Sequence, residues 1–303
     1  MTGNWQAGKT AEFGARAGQG RLQPGLHFIA TPIGAARDIT LRALDMLATA
    51  DVLAAEDTRS LRHLMDIHGV ALDHRPLIAY HDQNGDAARP RIMGLLAEGK
   101  SVVYASEAGT PLVADPGYQL GRAVIEEGYR VFAAPGPSAV LAALNVSGLP
   151  SDRFLFAGFP PRTSGARQNW FQGLDTAAAT VVFYESPKRL KACLTDLAQA
   201  LGDNREAVVC RELTKRFEEV LRGPVAELGA QLADREIKGE IVVLFDRAGK
   251  QEVTGASIED ALRARRAHMS MKDASAEVAT LLGLKRREVY QTALAMEKGD
   301  GPD

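Results

Sequence analysis

The stretch SVVYASEAGTPLVADPG (residues 101–117) runs from a short apolar segment into a turn that holds two Gly and two Pro. Gly supplies backbone room and unusual φ, whereas Pro removes freedom and a donor, so the turn should be rigid and poor in side chains. The grammar recurs: LHFIA (26–30) enters TPIG (31–34), and RVFAA (130–134) enters PGPS (135–138). Helical periodicity lies between these runs. In DITLRALDMLATA (38–50), Leu41, Leu44 and Leu47 fall at i, i+3 and i+6, with Asp38 as the expected cap. VLAAE (52–56) and PLIAY (76–80) read as strands. SLRHLMDIHGV (60–70), RPRIMGLLAEG (89–99) and GYQLGRAVIEEG (117–128) read as helices. Alternating strands and helices predict an α/β fold with a largely parallel sheet, whose ligands sit at the carboxyl ends of the strands. All three Pro-bearing turns fall at that end.

The second half changes character. PGPSAVLAALNVSG enters a helix, and FLFAGFPP (154–161) leads into a polar loop, RTSGARQ. Strands are expected at TVVFYE (180–185), EAVVCREL (206–213) and EIVVLFD (240–246), with KRLKACLTDLAQALG helical between them. We therefore expect a flexible extension over 1–25, α/β domains over 26–139 and 140–250, and a helical domain over 251–303. The last segment places a helix, a Gly-containing turn and a helix with a basic start in order. This is helix-turn-helix grammar, although a capping helical hairpin fits the spacing equally well.

Composition sets the outer limits. With 46% apolar and 24% charged residues, the chain is ordinary for a soluble globular protein. No apolar run nears the roughly 20 residues needed to span a bilayer, and no signal-peptide layout opens the chain, so a cytoplasmic protein is the simplest reading. Cys193 and Cys210 form no C-x-x-C, and the six His show no metal-ligand spacing, so no metal is expected. Residues 26–152 carry 10 Lys/Arg against 15 Asp/Glu, whereas residues 153–222 carry 11 against 8. A basic middle after an acidic first half could meet a polyanion.

Two motifs test the phosphate question. GNWQAGKT (3–10) fits the phosphate-loop pattern, but no strand precedes it and a poor helix follows, so it is not read as one. None of the three rigid turns carries the Lys that a polyphosphate attracts, and Glu107 would repel phosphate while tolerating a cation or ribose hydroxyls. A ligand with adenosine, ribose and a positive centre fits, and S-adenosylmethionine is such a ligand. Further on, FYESPKRL (183–190) sets Glu185 and Lys188 around a Pro turn. In RELTKRFEEVLRG (211–223), Glu212, Lys215 and Glu219 repeat at the spacing of a helical ion-pair face.

TPIG…DIT, AEDTR (55–59), SEAGTPLVADPG, PGPSA, SGLP…F.F.GF.P (147–160), FYESP, RELTK…E and GE.V (239–242) occur in order. Together they resemble the ribosomal RNA small subunit methyltransferase I (RsmI) family of the tetrapyrrole-methylase superfamily, over about 26 to 246 and again in the tail. The resemblance implies two α/β domains of the tetrapyrrole-methylase (class III methyltransferase) type with a small C-terminal helical domain, the cofactor in the cleft, and a homodimer. It implies S-adenosylmethionine-dependent 2'-O-methylation of a decoding-centre cytidine, position 1402 of 16S rRNA, within the small ribosomal subunit. Carried onto this chain, it places the cofactor on Pro32, Gly34, Glu107, Gly109, Thr110, Val113, Pro137, Ser138 and Ala139, with Tyr184 from the second domain. Glu107 stands where the family usually has Asp, and Ala35–Ala36 stand where it commonly has Asn-Leu.

A ribose hydroxyl is a weak acid, so a base or a cation near the developing oxyanion would assist its methylation. Glu185 and Lys215 are the candidates, with orientation of the cofactor or ribose the alternative role for Glu185, and phosphate binding the alternative for Lys215 together with Arg211. Arg162, Arg167, Lys188, Arg189, Arg211, Lys215 and Arg216 should track RNA backbone, with Lys285, Arg286 and Arg287 contacting rRNA from the tail. Tyr184 and Phe217 are candidate base stackers, with core burial the competing expectation for both. The alternative enzyme is a tetrapyrrole C-methyltransferase, which would need neither the basic middle nor the tail. A binding protein without catalysis would leave the three turns unexplained.

Overall fold

A computed structural model describes residues 20–114, 117–247, 255–266, 268–282 and 284–299. The GNWQAGKT motif and most of the expected N-terminal extension lie outside these residues. The chain divides into two compact units, one up to Arg247 and one from Ala248.

The first sheet comprises β1 (Gly25–Ile29), β2 (Val52–Ala55), β3 (Leu77–Ala79), β4 (Ser101–Ala105) and β5 (Val131–Ala134), all parallel, in the order β3-β2-β4-β1-β5. Near-continuous apolar runs explain why it is covered on both faces. On one face, Ile29, Leu53, Val103 and Ala105 pack with α1 (Leu41–Thr49) and α2 (Thr58–Ile67). On the other, Leu26, Phe28, Val102 and Tyr104 pack with α3 (Gly85–Ala97) and α4 (Tyr118–Glu126). Neighbouring strands β1 and β4 thus send their chains to opposite faces. The divergence opens a crevice at their carboxyl ends, where parallel sheets bind ligands.

Local chemistry fixes the helix starts. Thr40, not Asp38, caps α1, accepting from the Ala43 N–H at 3.2 Å, because Asp38 is taken up in a preceding short 3-10 turn. Asp57 of the AEDTR stretch caps α2 through the Arg59 and Ser60 amides at 2.7 and 3.3 Å. Each such cap satisfies donors left open by the first helical turn.

The second sheet is mixed, in the order β6-β7-β10-β8-β9. β6 (Phe154–Phe156) runs parallel to β7 (Thr180–Glu185), while β10 (Ile241–Phe245) runs antiparallel to β7 and to β8 (Glu206–Arg211). β9 (Glu219–Pro224) pairs antiparallel with β8. Its inner face packs α6 (Ser164–Asp175), α7 (Pro187–Leu201) and α8 (Val225–Leu232) on Val181, Phe183, Val209 and Val243. The opposite face packs α5 (Ala139–Ser147) on Val182, Val208, Val242 and Leu244. Ile33, from the turn after β1, enters this second core. Burying one such side chain contributes about 1.5–3 kcal/mol, which ties the first sheet's turn to the second sheet.

Three readings change here. RTSGARQ is not wholly loop, since α6 starts at Ser164. The first of its two buried residues, Arg167, is polar and bonded to Asp196 at 2.7 Å, so no apolar residue marked the helix before Trp170 and Phe171. Glu212, Lys215 and Glu219 do not share a helix: the first two lie in a loop, and Glu219 opens β9. α8 had no sequence signal that we recognised.

The C-terminal unit holds α9 (Gly255–Arg266), α10 (Met271–Leu282) and α11 (Arg286–Gly299), closed around buried Leu262, Ala274, Val278, Val289 and Ala293. Among the described residues, no helix is long and apolar enough to cross a membrane.

Candidate active site

The three rigid turns meet and are bonded to one another. The Thr31 and Gly109 backbones exchange two hydrogen bonds, at 2.9 and 3.0 Å. Thr31 Oγ1 donates to the Ser106 carbonyl at 3.2 Å, Ser106 Oγ to the Gly109 carbonyl at 2.6 Å, and Thr110 Oγ1 to the Pro137 carbonyl at 2.8 Å. Gly109 has φ +80°, and a Cβ there would press on Ile33 Cγ2 at 3.2 Å. The hydroxyls therefore serve the scaffold, and the turns present backbone.

The facing wall comes from the second sheet. β7 and β8 end where antiparallel β10 begins, so Glu185, Arg211 and Ile241 lie side by side in the register. Beyond β8 the chain bends through Glu212 (φ +53°) and Thr214 (φ +64°), the latter β-branched and hence strained. Three bonds hold that loop. Thr214 N–H donates to Glu218 Oε2 at 2.5 Å, Thr214 Oγ1 accepts from the Ala35 N–H at 3.1 Å, and Glu212 Oε1 accepts from the Glu240 N–H at 2.9 Å. A Cβ on Gly34 would meet Lys215 Cγ at 2.5 Å and Thr214 Oγ1 at 2.6 Å, so only glycine lets the turn after β1 mesh with this loop.

The two walls enclose a cavity of about 760 Å³. Nine of the ten expected cofactor residues line it: Pro32 and Gly34, then Glu107, Gly109, Thr110 and Val113, then Ser138, Ala139 and Tyr184. Pro137 does not, and contributes its carbonyl to Thr110 instead. Both expected catalytic residues, Glu185 and Lys215, line the same cavity. Our sequence reading gave no role to Glu56, Glu240, Cys210 or Phe159, which also line it, although the AEDTR, GE.V and GF.P stretches contain three of them.

The electrostatics are lopsided. Four carboxylates line the cavity (Glu56, Glu107, Glu185 and Glu240) against one ammonium, Lys215. Burial, reinforced by Glu56, Asp57 and Glu240, pushes the Glu107 carboxyl above its ordinary range. A cation in the cavity would relieve that repulsion. Lys215 Nζ lies 2.9 Å from both Glu212 Oε1 and Glu240 Oε2. Burial pulls the Lys215 pKa down, but hydrogen bonds to Glu240 and Glu212 outweigh it and leave the pKa raised. It is a fixed cation at neutral pH. Burial and Glu240 raise the Tyr184 phenol to about 12, so it remains protonated there.

The side chain of Glu185 is buried. Its Oε1 accepts from the Ser186 N–H at 2.8 Å. Oε2 lies 3.2 Å from an Arg189 nitrogen yet forms no hydrogen bond, because that nitrogen donates to the Pro160 and Pro161 carbonyls at 2.7 and 2.9 Å. One carboxylate oxygen is thus buried without a hydrogen-bond partner.

The basic residues divide. Arg167 is buried against Asp196, and Arg211 donates to Glu219 at 3.1 Å, so neither guanidinium is free for RNA backbone. Arg189 is likewise occupied. Arg162, Lys188 and Arg216 are exposed and form no ion pair among the described residues. Phe217 is 62% exposed rather than in the core, with the Arg216 guanidinium 5.3 Å from its ring centre, whereas Tyr184 is half-buried. In the C-terminal unit, Lys285, Arg286 and Arg287 are exposed at the start of α11.

Residues 25–229 match the family model for tetrapyrrole (corrin/porphyrin) methylases, and residues 252–297 match that of the RsmI C-terminal HTH domain. Among curated relatives, ribosomal RNA small subunit methyltransferase I of Mesorhizobium japonicum is 44% identical, over 92% of this chain and 96% of its own. The Mycobacterium tuberculosis protein of that name is 40% identical over 90% and 95%. Solved structures of cobalt precorrin-4 methyltransferase (18% identical, TM-score 0.55, covering 73% of this chain and 94% of that one) and diphthine synthase (17%, 0.57, 73% and 89%) share the fold. With two-thirds of its length inside the family model and relatives this similar along nearly the whole chain, the protein belongs to the tetrapyrrole methylase family.

Proposed function

We propose that the chain transfers a methyl group from S-adenosylmethionine to the ribose 2'-oxygen of a decoding-centre cytidine in 16S rRNA, within the small ribosomal subunit. The observation that carries the cofactor is the cavity itself: backbone turns without a phosphate-binding lysine, under four carboxylates that favour a cation. The relatives named for rRNA methylation support the substrate. The turns at Pro32–Gly34, Glu107–Thr110 and Ser138–Ala139 would hold the cofactor, which supplies an electrophilic methyl on sulfur.

The chain's residues do the rest. Glu185, whose buried Oε2 has no hydrogen-bond partner, would take the 2'-hydroxyl proton as the methyl group passes to that oxygen. Lys215, held cationic by Glu212 and Glu240, stabilises the developing alkoxide. Positioning within the cavity supplies much of the remainder. Nothing in this sequence of events calls for a metal or a membrane.

The same reading treats 26–139 and 140–250 as the two α/β domains and 251–303 as an rRNA-contacting module in a cytoplasmic homodimer. Exposed Tyr118 and Ile125, seven residues apart on one face of α4, supply apolar surface for a second copy. The deciding experiment offers labelled S-adenosylmethionine with small subunits lacking the modification, naked 16S rRNA, or a tetrapyrrole precursor. Label at one ribose 2'-oxygen on assembled subunits is expected. Label on the tetrapyrrole alone would overturn the proposal.

A further inference from the structure

Phe159 is a large apolar side chain that the second sheet's core leaves out. It is 58% exposed, yet it lines the cavity that holds Glu185 and Lys215. Its chain neighbours leave it little freedom. Gly158 turns the backbone at φ +71°, its carbonyl accepts from the Tyr184 N–H at 2.8 Å, and Pro160 is buried behind. Arg189 then fastens the Pro160 and Pro161 carbonyls to the helix that starts beside Glu185. Among the described residues, the one ring contact of Phe159 is edge-on, with Tyr184, at 5.6 Å and 65°. With Phe159 58% exposed, much of the ring surface is open.

An exposed aromatic ring on a rigid mount at the rim of a cavity offers a ligand apolar surface whose burial is favourable. Two exposed cations without ion pairs among the described residues, Arg162 and Lys188, flank the mount in sequence, three residues after Phe159 and three after Glu185. A π-surface beside free cations matches a single-stranded nucleotide, with its base stacked and its phosphates held. A ribose brought into the cavity must leave its helix, and its base then loses its stacking partners. We infer that Phe159 is the platform on which the extruded target pyrimidine stacks, and that it determines specificity for an unpaired nucleotide. This inference rests on the RNA reading above.

The test compares Phe159→Ala, Phe159→Leu and Phe159→Trp with the wild type, using kcat/KM for unmodified small subunits and calorimetric affinity for S-adenosylmethionine. Stacking of one base predicts a roughly 10- to 100-fold loss of kcat/KM for Ala. Leu, apolar but without a π-face, should lose nearly as much, while Trp retains activity and cofactor affinity is unchanged in all three. Leu acting like wild type would overturn the platform, as would a parallel loss of cofactor affinity, which would assign the ring to the cofactor. A wild type that transfers no methyl to subunits would overturn the RNA reading and the platform with it. Full activity in Ala would overturn the platform alone.

Discussion

The two walls of the cavity are built on opposite plans. The first-sheet wall is mostly backbone: three turns stiffened by Gly and Pro, with Thr31, Ser106 and Thr110 consumed in scaffold bonds and the Glu56 and Glu107 carboxylates beside them. The second-sheet wall is side chain: Glu185, Lys215, Tyr184 and Phe159, aimed by strand register and by a strained loop. A backbone wall binds by shape and tolerates little added volume. A side-chain wall tolerates volume but depends on individual charges. Substitutions should therefore fail differently on the two sides.

The largest effect is expected at Lys215. Lys215→Ala should lower kcat by about 10²–10³, the range for one lost transition-state donor, with cofactor affinity little changed in calorimetry. An equal loss of cofactor affinity would move Lys215 from chemistry to binding. Glu185→Gln comes next, with kcat down about 10²-fold in single-turnover measurements. A kcat unchanged from wild type would remove Glu185 as the base.

On the other wall, Gly34→Ala should act through packing. Its Cβ meets Lys215 and Thr214, so chemical denaturation should show a loss of about 1–3 kcal/mol, together with reduced turnover. Gly69→Ala, where nothing lies within 4 Å but φ is +68°, controls for backbone strain alone and should leave turnover intact. The smallest effect is at Glu107. Its raised pKa means that the folded state disfavours the ionised form, so its destabilisation is absent below the ordinary carboxylate range and complete above the raised pKa. Glu107→Gln should therefore melt slightly higher at pH 7–8, with the gap closing as pH falls toward about 4. The same variant should bind S-adenosylmethionine several-fold more weakly. Higher affinity would show that the carboxylate does not face the cation.

The contrast also explains what was legible beforehand. Gly and Pro declare a rigid turn locally, so all three turns and their common end of the sheet could be read from residues 26–138. The first-sheet wall of the cavity was accordingly nearly complete in outline. The other wall depends on long-range register. Glu240 could be quoted in GE.V but not assigned, because its partner Lys215 lies 25 positions earlier on another strand's exit. The start of α6 was missed because its first buried position is Arg167, an ion pair in place of an apolar residue, with buried Phe171 only one turn later. Arg189 and Arg211 looked like RNA contacts because sequence shows charge but not who neutralises it. Phe159 could be quoted in GF.P but not assigned, because sequence does not show which aromatic side chains the core leaves out.

The bond between the Ala35 N–H and Thr214 Oγ1 spans 179 positions and joins the turn after β1 to the loop bearing Lys215. Contacts this distant in sequence form only after much of the intervening chain has ordered, which makes them late events in folding. On refolding from denaturant, helical signal should return well before methyl-transfer activity. During synthesis, the first sheet leaves the ribosome without the loop that completes its crevice. The protein becomes an enzyme only when its second sheet arrives.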